Sequence, residues 1–377
     1  MDIFPLLRLA KSKGASDLHL VVSSPPLLRI NGLILPEVDM PPLKPEDLEK
    51  MFNQLTSEGA RATFYQNLEL DLGRNIPGVG QIRCNVAKQR GTISLAIRLL
   101  PLAIPTIDDL QLPQLCKELI LRPRGLIVVS GPTGSGKSTT LAAMINHLNH
   151  NRHCRVVTIE DPIEYLYSNL KCTITQRELG NDTLSFVEAL RHVLRQDPDV
   201  ILIGEMRDLE TAAAALTIAE TGHLVLTTGH APSAPQAIER IIDLFPPHER
   251  NLAQTRLASL LLAILCQALV PKADGSGRIA AVEIMLANPA VRNLVREGKI
   301  YQLPNTMRTH TIEGMQLLDQ ALVRLHVEKI ISRESLLSFC NDKVEVEKLI
   351  THEIAHEVAK MPVTSSPSQT YLLRDNH

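Results

Sequence analysis

The octet Gly131-Pro-Thr-Gly-Ser-Gly-Lys137-Ser138 sets three glycines, a lysine and a hydroxyl at the spacing of a phosphate-binding loop. Glycines let successive backbone N–H groups converge on phosphate oxygens, and a helix that starts at the loop adds its N-terminal dipole. In this reading Gly131, Pro132, Thr133, Gly134, Ser135 and Gly136 make the cradle, and Thr139 follows on the first helical turn. Lys137 would reach the β- and γ-phosphates, and the Ser138 hydroxyl would ligate Mg²⁺. The expected ligand is therefore ATP with its metal ion.

Two carboxylate elements follow. Arg155-Val-Val-Thr-Ile-Glu160-Asp161-Pro-Ile-Glu164 is an apolar strand that ends in acids. Strand-end carboxylates in an open α/β sheet stand where ligands bind, so Glu160 is a candidate to order Mg²⁺ or its waters. Asp199-Val-Ile-Leu-Ile-Gly204-Glu205-Met-Arg207-Asp208 is a second apolar strand, with Glu205 where a base would orient the attacking water. Asp208 suits the N-cap of the next helix. In Glu220-Thr-Gly222-His223-Leu-Val-Leu-Thr-Thr228-Gly-His230, two histidines flank a buried strand. Their spacing does not suit zinc, and His230 fits a polar sensor of the γ-phosphate, with a merely structural histidine as the equal alternative on spacing alone. Arg83, Arg98 and Arg124 are candidates to complete the site from outside its core, with surface charge as the plain alternative.

The elements that would position these residues are legible from patterning. Gly125–Ser130 reads as a buried strand, and the run after the loop reads as a helix. From residue 114 strand and helix alternate, which implies a parallel sheet. Residues 1–100 form a separate α+β domain. Alternation marks strands around 15–22, 27–30, 33–35, 81–88 and 92–99, with a hairpin signal at Asn31-Gly32 and a helix over Pro45–Gln66. Residues 101–113 carry three prolines and read as a linker. Ser185-Phe-Val-Glu188 is a capping box that opens a helix with Leu190, Val193 and Leu194 on one face. Residues 311–350 read as helical throughout, and the polar tail 361–377 reads as disordered.

Composition narrows the classes. The 377 residues carry a net charge of −2, which offers no global basic field for nucleic acid. Aromatics are 3% with no Trp, so stacking platforms for single strands are scarce. The six cysteines lie far apart without C-x-x-C spacing and read as scattered buried thiols. The longest apolar stretch, 257–270, is interrupted by Ser259 and Gln267 and is too short for a bilayer. The N-terminus lacks a signal-peptide pattern. The expectation is a soluble cytoplasmic protein that meets membrane through partners alone.

With these elements in this order, the chain resembles the secretion-superfamily ATPases of type II secretion and type IV pili. Thr158-Ile-Glu-Asp-Pro-Ile-Glu164 resembles their acidic box, Asp197–Asp208 their Walker B segment, and Glu220-Thr-Gly-His-Leu-Val225 the start of their histidine box. Gly14–Leu20, Pro123–Leu126, Pro289–Glu297 and Gly314–Gln316 make it most similar to the pilus retraction (PilT-like, twitching motility) group. The resemblance implies a RecA-like P-loop core with a smaller PAS-like α+β domain. It implies a homo-hexamer at the inner face of the cytoplasmic membrane, acting on an inner-membrane pilus platform protein, with no nucleic acid partner. It also assigns Arg83 and Arg98, with Arg90 as a further candidate, to reach the nucleotide phosphates.

The chain departs from that pattern at Thr228-Gly-His-Ala-Pro-Ser233, where relatives carry Leu at 229 and a polar residue at 231. Pro232 also removes a backbone donor. The departure predicts slower turnover. Pro304-Asn305 is a smaller departure in a region that is helical in relatives. The alternatives are a pilus-extension or type II secretion ATPase, an accessory ATP-binding subunit that hydrolyses poorly, and a nucleic-acid translocase.

Overall fold

In the computed structural model the chain divides into two units, Met1–Pro105 with Pro162–Asn169, and Thr106–Asp161 with Leu170–His377. The described residues are 1–30, 32–100 and 103–360, with side chains described to Thr351. Asn31 of the hairpin signal, Pro101 of the linker and the tail 361–377 lie outside them.

The first unit is a six-stranded antiparallel sheet with helices. Its strands are β1 Asp17–Leu20, β2 Leu27–Ile30, β3 Leu33–Pro36, β4 Glu69–Ile76, β5 Gly80–Gln89 and β6 Thr92–Leu99, in the order β3-β2-β1-β6-β5-β4. Alternation places Ile82, Cys84 and Val86 of β5 and Ile93, Leu95 and Ile97 of β6 in one core with Phe52 and Phe64. Arg90 (φ 47°) and Gly91 (φ 79°) form the two-residue turn between β5 and β6.

The helix expected over Pro45–Gln66 is instead two, Pro45–Leu55 and Glu58–Asn67. Thr56 is extended and its hydroxyl donates to the Phe52 carbonyl, while Ser57 Oγ accepts from Ala60 N–H and caps the second helix. Short hydroxylated side chains compete with the helical ladder in this way.

The second unit is a seven-stranded sheet flanked by helices. It comprises β7 Gly125–Ser130, β8 Arg155–Glu160, β9 Thr173–Glu178, β10 Val200–Ile203, β11 Leu224–Thr228, β12 Leu261–Pro271 and β13 Arg278–Leu286. The order is β13-β12-β7-β11-β10-β8-β9, parallel from β12 to β9, with β13 antiparallel to β12. The central strands β7, β10 and β11 are buried along their whole length, as a sheet covered on both faces requires.

The unit starts at Thr106, inside the stretch read as a linker, and Ile107 and Leu112 there are buried. The stretch expected to be helical over 311–350 breaks into helices Leu318–Val327, Arg333–Phe339 and Lys343–Lys360. Gly314 (φ 95°) and Ser332, which caps with its side chain on Ser335 N–H, end and restart it. Pro304 lies in the first turn of the helix Leu303–Thr309, where a missing N–H costs nothing. Leu194 leaves the apolar face of Phe186–Val193 and is 37% exposed, because the chain tightens there into a 3₁₀ turn.

Candidate functional site

The four parallel strands β7, β11, β10 and β8 end on one edge of the sheet. They carry, in that lateral order, the phosphate-loop octet, His230, Glu205 and Glu160. Adjacent strands lie about 4.8 Å apart, so the ends of β7 and β10 are separated by about 10 Å with β11 between them.

The octet lies between β7 and the helix Lys137–Asn151. Gly136 at the N-cap has φ 88° and the first turn holds no acidic residue, so nothing opposes an anion at this dipole end. Gly131 (φ 141°) passes so close to β12 that a Cβ there would collide with the Gln267 carbonyl. Lys137 is buried and its ammonium donates to the carbonyls of Gly131 (2.8 Å) and Pro132 (3.1 Å). The Ser135 hydroxyl is buried without a hydrogen-bond partner. A buried hydroxyl left unpaired in a glycine-rich loop at a helix N-terminus fits an anion with acceptor oxygens. Beside the loop a cleft of about 310 Å³ is lined by Thr139, Thr140, Leu269, Lys272 and Arg278 among others.

Gln267 is a support the patterning showed only as a break in an apolar run. Its Nε2 donates to the Ser135 carbonyl (2.6 Å) and its Oε1 accepts from the Thr140 hydroxyl (3.0 Å), so the loop and the first turn of the helix that follows it are both tied to β12.

At the end of β10, Glu205 Oε2 accepts from Arg207 Nε at 2.7 Å and Oε1 lies 3.0 Å from His230 Nε2. Burial pushes the Glu205 carboxyl up, but the hydrogen bonds and charges of Arg207 and His230 outweigh it and hold the group below its usual value. The group is a carboxylate paired on both oxygens. Arg207 also lies 3.6 Å from Asp161. Glu160 Oε1 accepts from the Thr158 hydroxyl (2.6 Å) and from Gln176 Nε2 (3.3 Å). Gly204 lets β10 close on β8: its N–H donates to the Ile159 carbonyl (2.8 Å), and a Cβ would meet that same oxygen at 3.3 Å. Glu164 is exposed.

His230 and His223 separate to opposite ends of β11. His223 Nδ1 lies 3.0 Å from the Thr221 hydroxyl and 3.1 Å from the Ile218 carbonyl, at a helix end. No group of three or more metal-ligating side chains occurs among the described residues. Asp208 Oδ1 accepts from Thr211 N–H at 2.7 Å, so it caps the helix Leu209–Glu220. Arg124 precedes β7 and lies at the opposite edge of the sheet, about 20 Å along the strand from the phosphate loop of its own chain. Arg83 and Arg98 belong to the first unit, where they are cross-strand partners on β5 and β6. Arg98 Nε donates to Asp17 Oδ1 at 2.9 Å, and Asp17 lies 3.6 Å from Arg29.

Glu283 on β13 is a further support that local sequence did not reveal. It is 3% exposed, its Oε1 accepts from Ala234 N–H (2.7 Å), and its Oε2 accepts from Leu318 N–H (3.4 Å). One carboxylate thereby caps the helix that follows the His230 loop and the helix Leu318–Val327. Ser233, at the N-cap of the former, makes no side-chain cap bond.

The family profile described as "Type II/IV secretion system protein" matches residues 94–359. A Pseudomonas aeruginosa protein named type IV pilus retractation ATPase PilT is 43% identical over 335 residues, spanning 89% of this chain and 97% of that one. The type IV pilus ATPase PilU of the same organism is 41% identical over 350 residues, spanning 93% and 91%. The crystal structure of the pilus retraction motor PilT with bound ADP superposes with a TM-score of 0.87 at 43% identity, covering 92% of this chain and 99% of that one.

Proposed function

The chain belongs to the type II/IV secretion system family, and we propose that within it the protein is an ATPase motor that powers type IV pilus retraction. One observation carries the chemistry: phosphate loop, His230, Glu205 and Glu160 stand in a row on neighbouring parallel strand ends. The loop N–H groups, Lys137 and the Ser135 hydroxyl bind the phosphates, and the cleft beside Thr139 and Thr140 takes the nucleoside. The Glu205 carboxylate, oriented by Arg207 and His230, accepts a proton as water attacks the γ-phosphate, giving ADP and phosphate. His230 shares Glu205 Oε1 and reads the departure of that phosphate. Mg²⁺ supplies charge neutralisation of the phosphates when bound; the Ser138 hydroxyl and Glu160 are the groups to hold it or its waters.

The motor works as a homo-hexamer at the cytoplasmic face of the inner membrane and acts on the pilus platform protein. No helix of the described residues is long and apolar enough to cross a membrane. The family resemblance assigns Arg83 and Arg98 to the phosphates; in this chain Arg98 Nε donates to Asp17.

An accessory ATP-binding subunit with slow hydrolysis is favoured by one observation. A Cβ at Gly229 would meet Ser130 Oγ at 3.0 Å, so the loop carrying His230 is packed tightly against β7. Steady-state hydrolysis with Mg²⁺, alongside oligomer mass and Glu205→Gln, separates the readings. A hexamer that loses activity at least about 100-fold on Glu205→Gln supports the motor. Hydrolysis by Glu205→Gln at the wild-type rate overturns it, and binding without turnover favours the accessory subunit. Gene deletion then gives direction: loss of retraction leaves excess pili, loss of extension leaves none.

A further inference from the structure

Cys154 precedes β8 and Cys172 precedes β9, and their Sγ atoms lie 3.3 Å apart although 18 residues separate them in the chain. The ladder explains the encounter. Arg155 pairs with Thr173, and Thr173 N–H donates to the Cys154 carbonyl at 3.0 Å, so the cysteines fill the next register position. Laterally adjacent strand residues have Cα atoms about 4.8 Å apart, inside the roughly 4.4–6.8 Å span a disulfide bridges. Cys172 is held in place. Its N–H and that of Leu170 donate to Asn149 Oδ1 (3.1 and 3.2 Å), Lys171 N–H donates to the Asn149 carbonyl (3.0 Å), and its thiol donates to the Arg152 carbonyl (3.2 Å). Asn149 lies near the end of the helix that starts at Lys137.

We propose that Cys154 and Cys172 form a reversible intrachain disulfide that staples the base of the segment carrying Glu160, Asp161 and Glu164. The oxidant is a low-molecular-weight disulfide. Cys154 is half-buried and Cys172 buried, so Cys154 meets it first. The deprotonated Cys154 sulfur attacks one sulfur of the small disulfide, forms a mixed disulfide and expels one thiolate. Cys172, deprotonated in turn, attacks Sγ of Cys154 and expels the second thiolate. Two protons leave the protein, two electrons pass to the oxidant, and two small thiols are released. Burial and the neighbouring Cys172 thiol push the Cys154 thiol up to about 12, against the opposing charge of Arg152 and with that of Asp199, so exchange is slow.

The test incubates the full-length chain with excess oxidised glutathione, blocks remaining thiols and maps peptides by mass spectrometry. The readout is covalent and independent of any ATPase reading. The expected result is a linked Cys154–Cys172 peptide that dithiothreitol releases. The thermal midpoint should rise by a few degrees, because the link constrains the unfolded chain. Cys172→Ser should stop at a glutathione adduct on Cys154, and the fold of that variant is checked by its own melt. Free thiols at both positions in protein whose Cys340 has reacted, or an unresolved adduct on Cys154 of the wild-type chain, would overturn the proposal.

Discussion

The Ser130 hydroxyl donates a 2.6 Å hydrogen bond to the backbone carbonyl of Ala231, which ties the strand entering the phosphate loop to the loop that carries His230. Gly229 N–H adds a bond to the Val129 carbonyl at 2.9 Å. The two segments are 101 residues apart, yet they are joined at the point where a phosphate sensor would have to register the nucleotide.

Gly229→Ala tests this joint. Its Cβ would crowd Ser130 Oγ at 3.0 Å, with the next neighbours at 3.5 and 3.8 Å. The substitution should lower stability by about 1–2 kcal/mol. Ser130→Ala removes the crowding atom but leaves the Ala231 carbonyl without its donor, at a cost of about 1–3 kcal/mol. The double variant should be less impaired than the sum of the singles, measured as a coupling in denaturant melts. Additivity would show that the residues act independently.

Arg207→Ala should change the pH dependence of hydrolysis. Arg207 and His230 hold the Glu205 carboxyl below its ordinary value. A carboxyl depressed in the folded state contributes stability that is present above its unfolded value, about 4.3, and is lost as pH falls through the folded value. Without the guanidinium the folded value rises, so the acid limb of the kcat profile should move to higher pH. An unmoved acid limb would assign that limb to another group.

Glu283→Ala should destabilise by about 2 kcal/mol, because Ala234 N–H is left buried without an acceptor. In a unit of this size that lowers the thermal midpoint by about 4–8 °C. Burial already pushes the Glu283 carboxyl up, so its charge is costly and Glu283→Gln should be milder than the alanine variant. Calorimetry of both variants checks the order; equal losses would place the effect in packing.

Ser138→Ala should raise the Mg²⁺ concentration needed for half-maximal hydrolysis about tenfold or more while leaving ADP binding in EDTA nearly unchanged. A titration of rate against Mg²⁺ at fixed ATP decides it. An unchanged midpoint would remove Ser138 from the metal's ligands.

The phosphate loop, the strands Gly125–Ser130 and Arg155–Glu160, the cap at Asp208 and the turn of Arg90-Gly91 are all set by residues within a few positions of one another. Their physics is local: φ preference, capping hydroxyls and apolar runs. The same local reading failed where two signals competed. Pro45–Gln66 carries helix periodicity, but Thr56-Ser57 offers its own hydrogen bonds and divides the helix. Gln267 was legible only as an interruption, because its purpose depends on Ser135 and Thr140, well over 100 residues away.

The sequence by itself determined the phosphate-loop octet, its strand and helix, and the carboxylates and histidine that follow apolar strands. Tertiary structure decided their order in space. Crossovers insert β11 between β7 and β10, so His230 meets Glu205 and its loop is tied to the end of β7. It also decided that Cys154 meets Cys172 and that Glu283 caps two helices from a distant strand. Those contacts arise from strand register and crossover topology, which bury groups from remote positions together and leave no periodic trace in the chain.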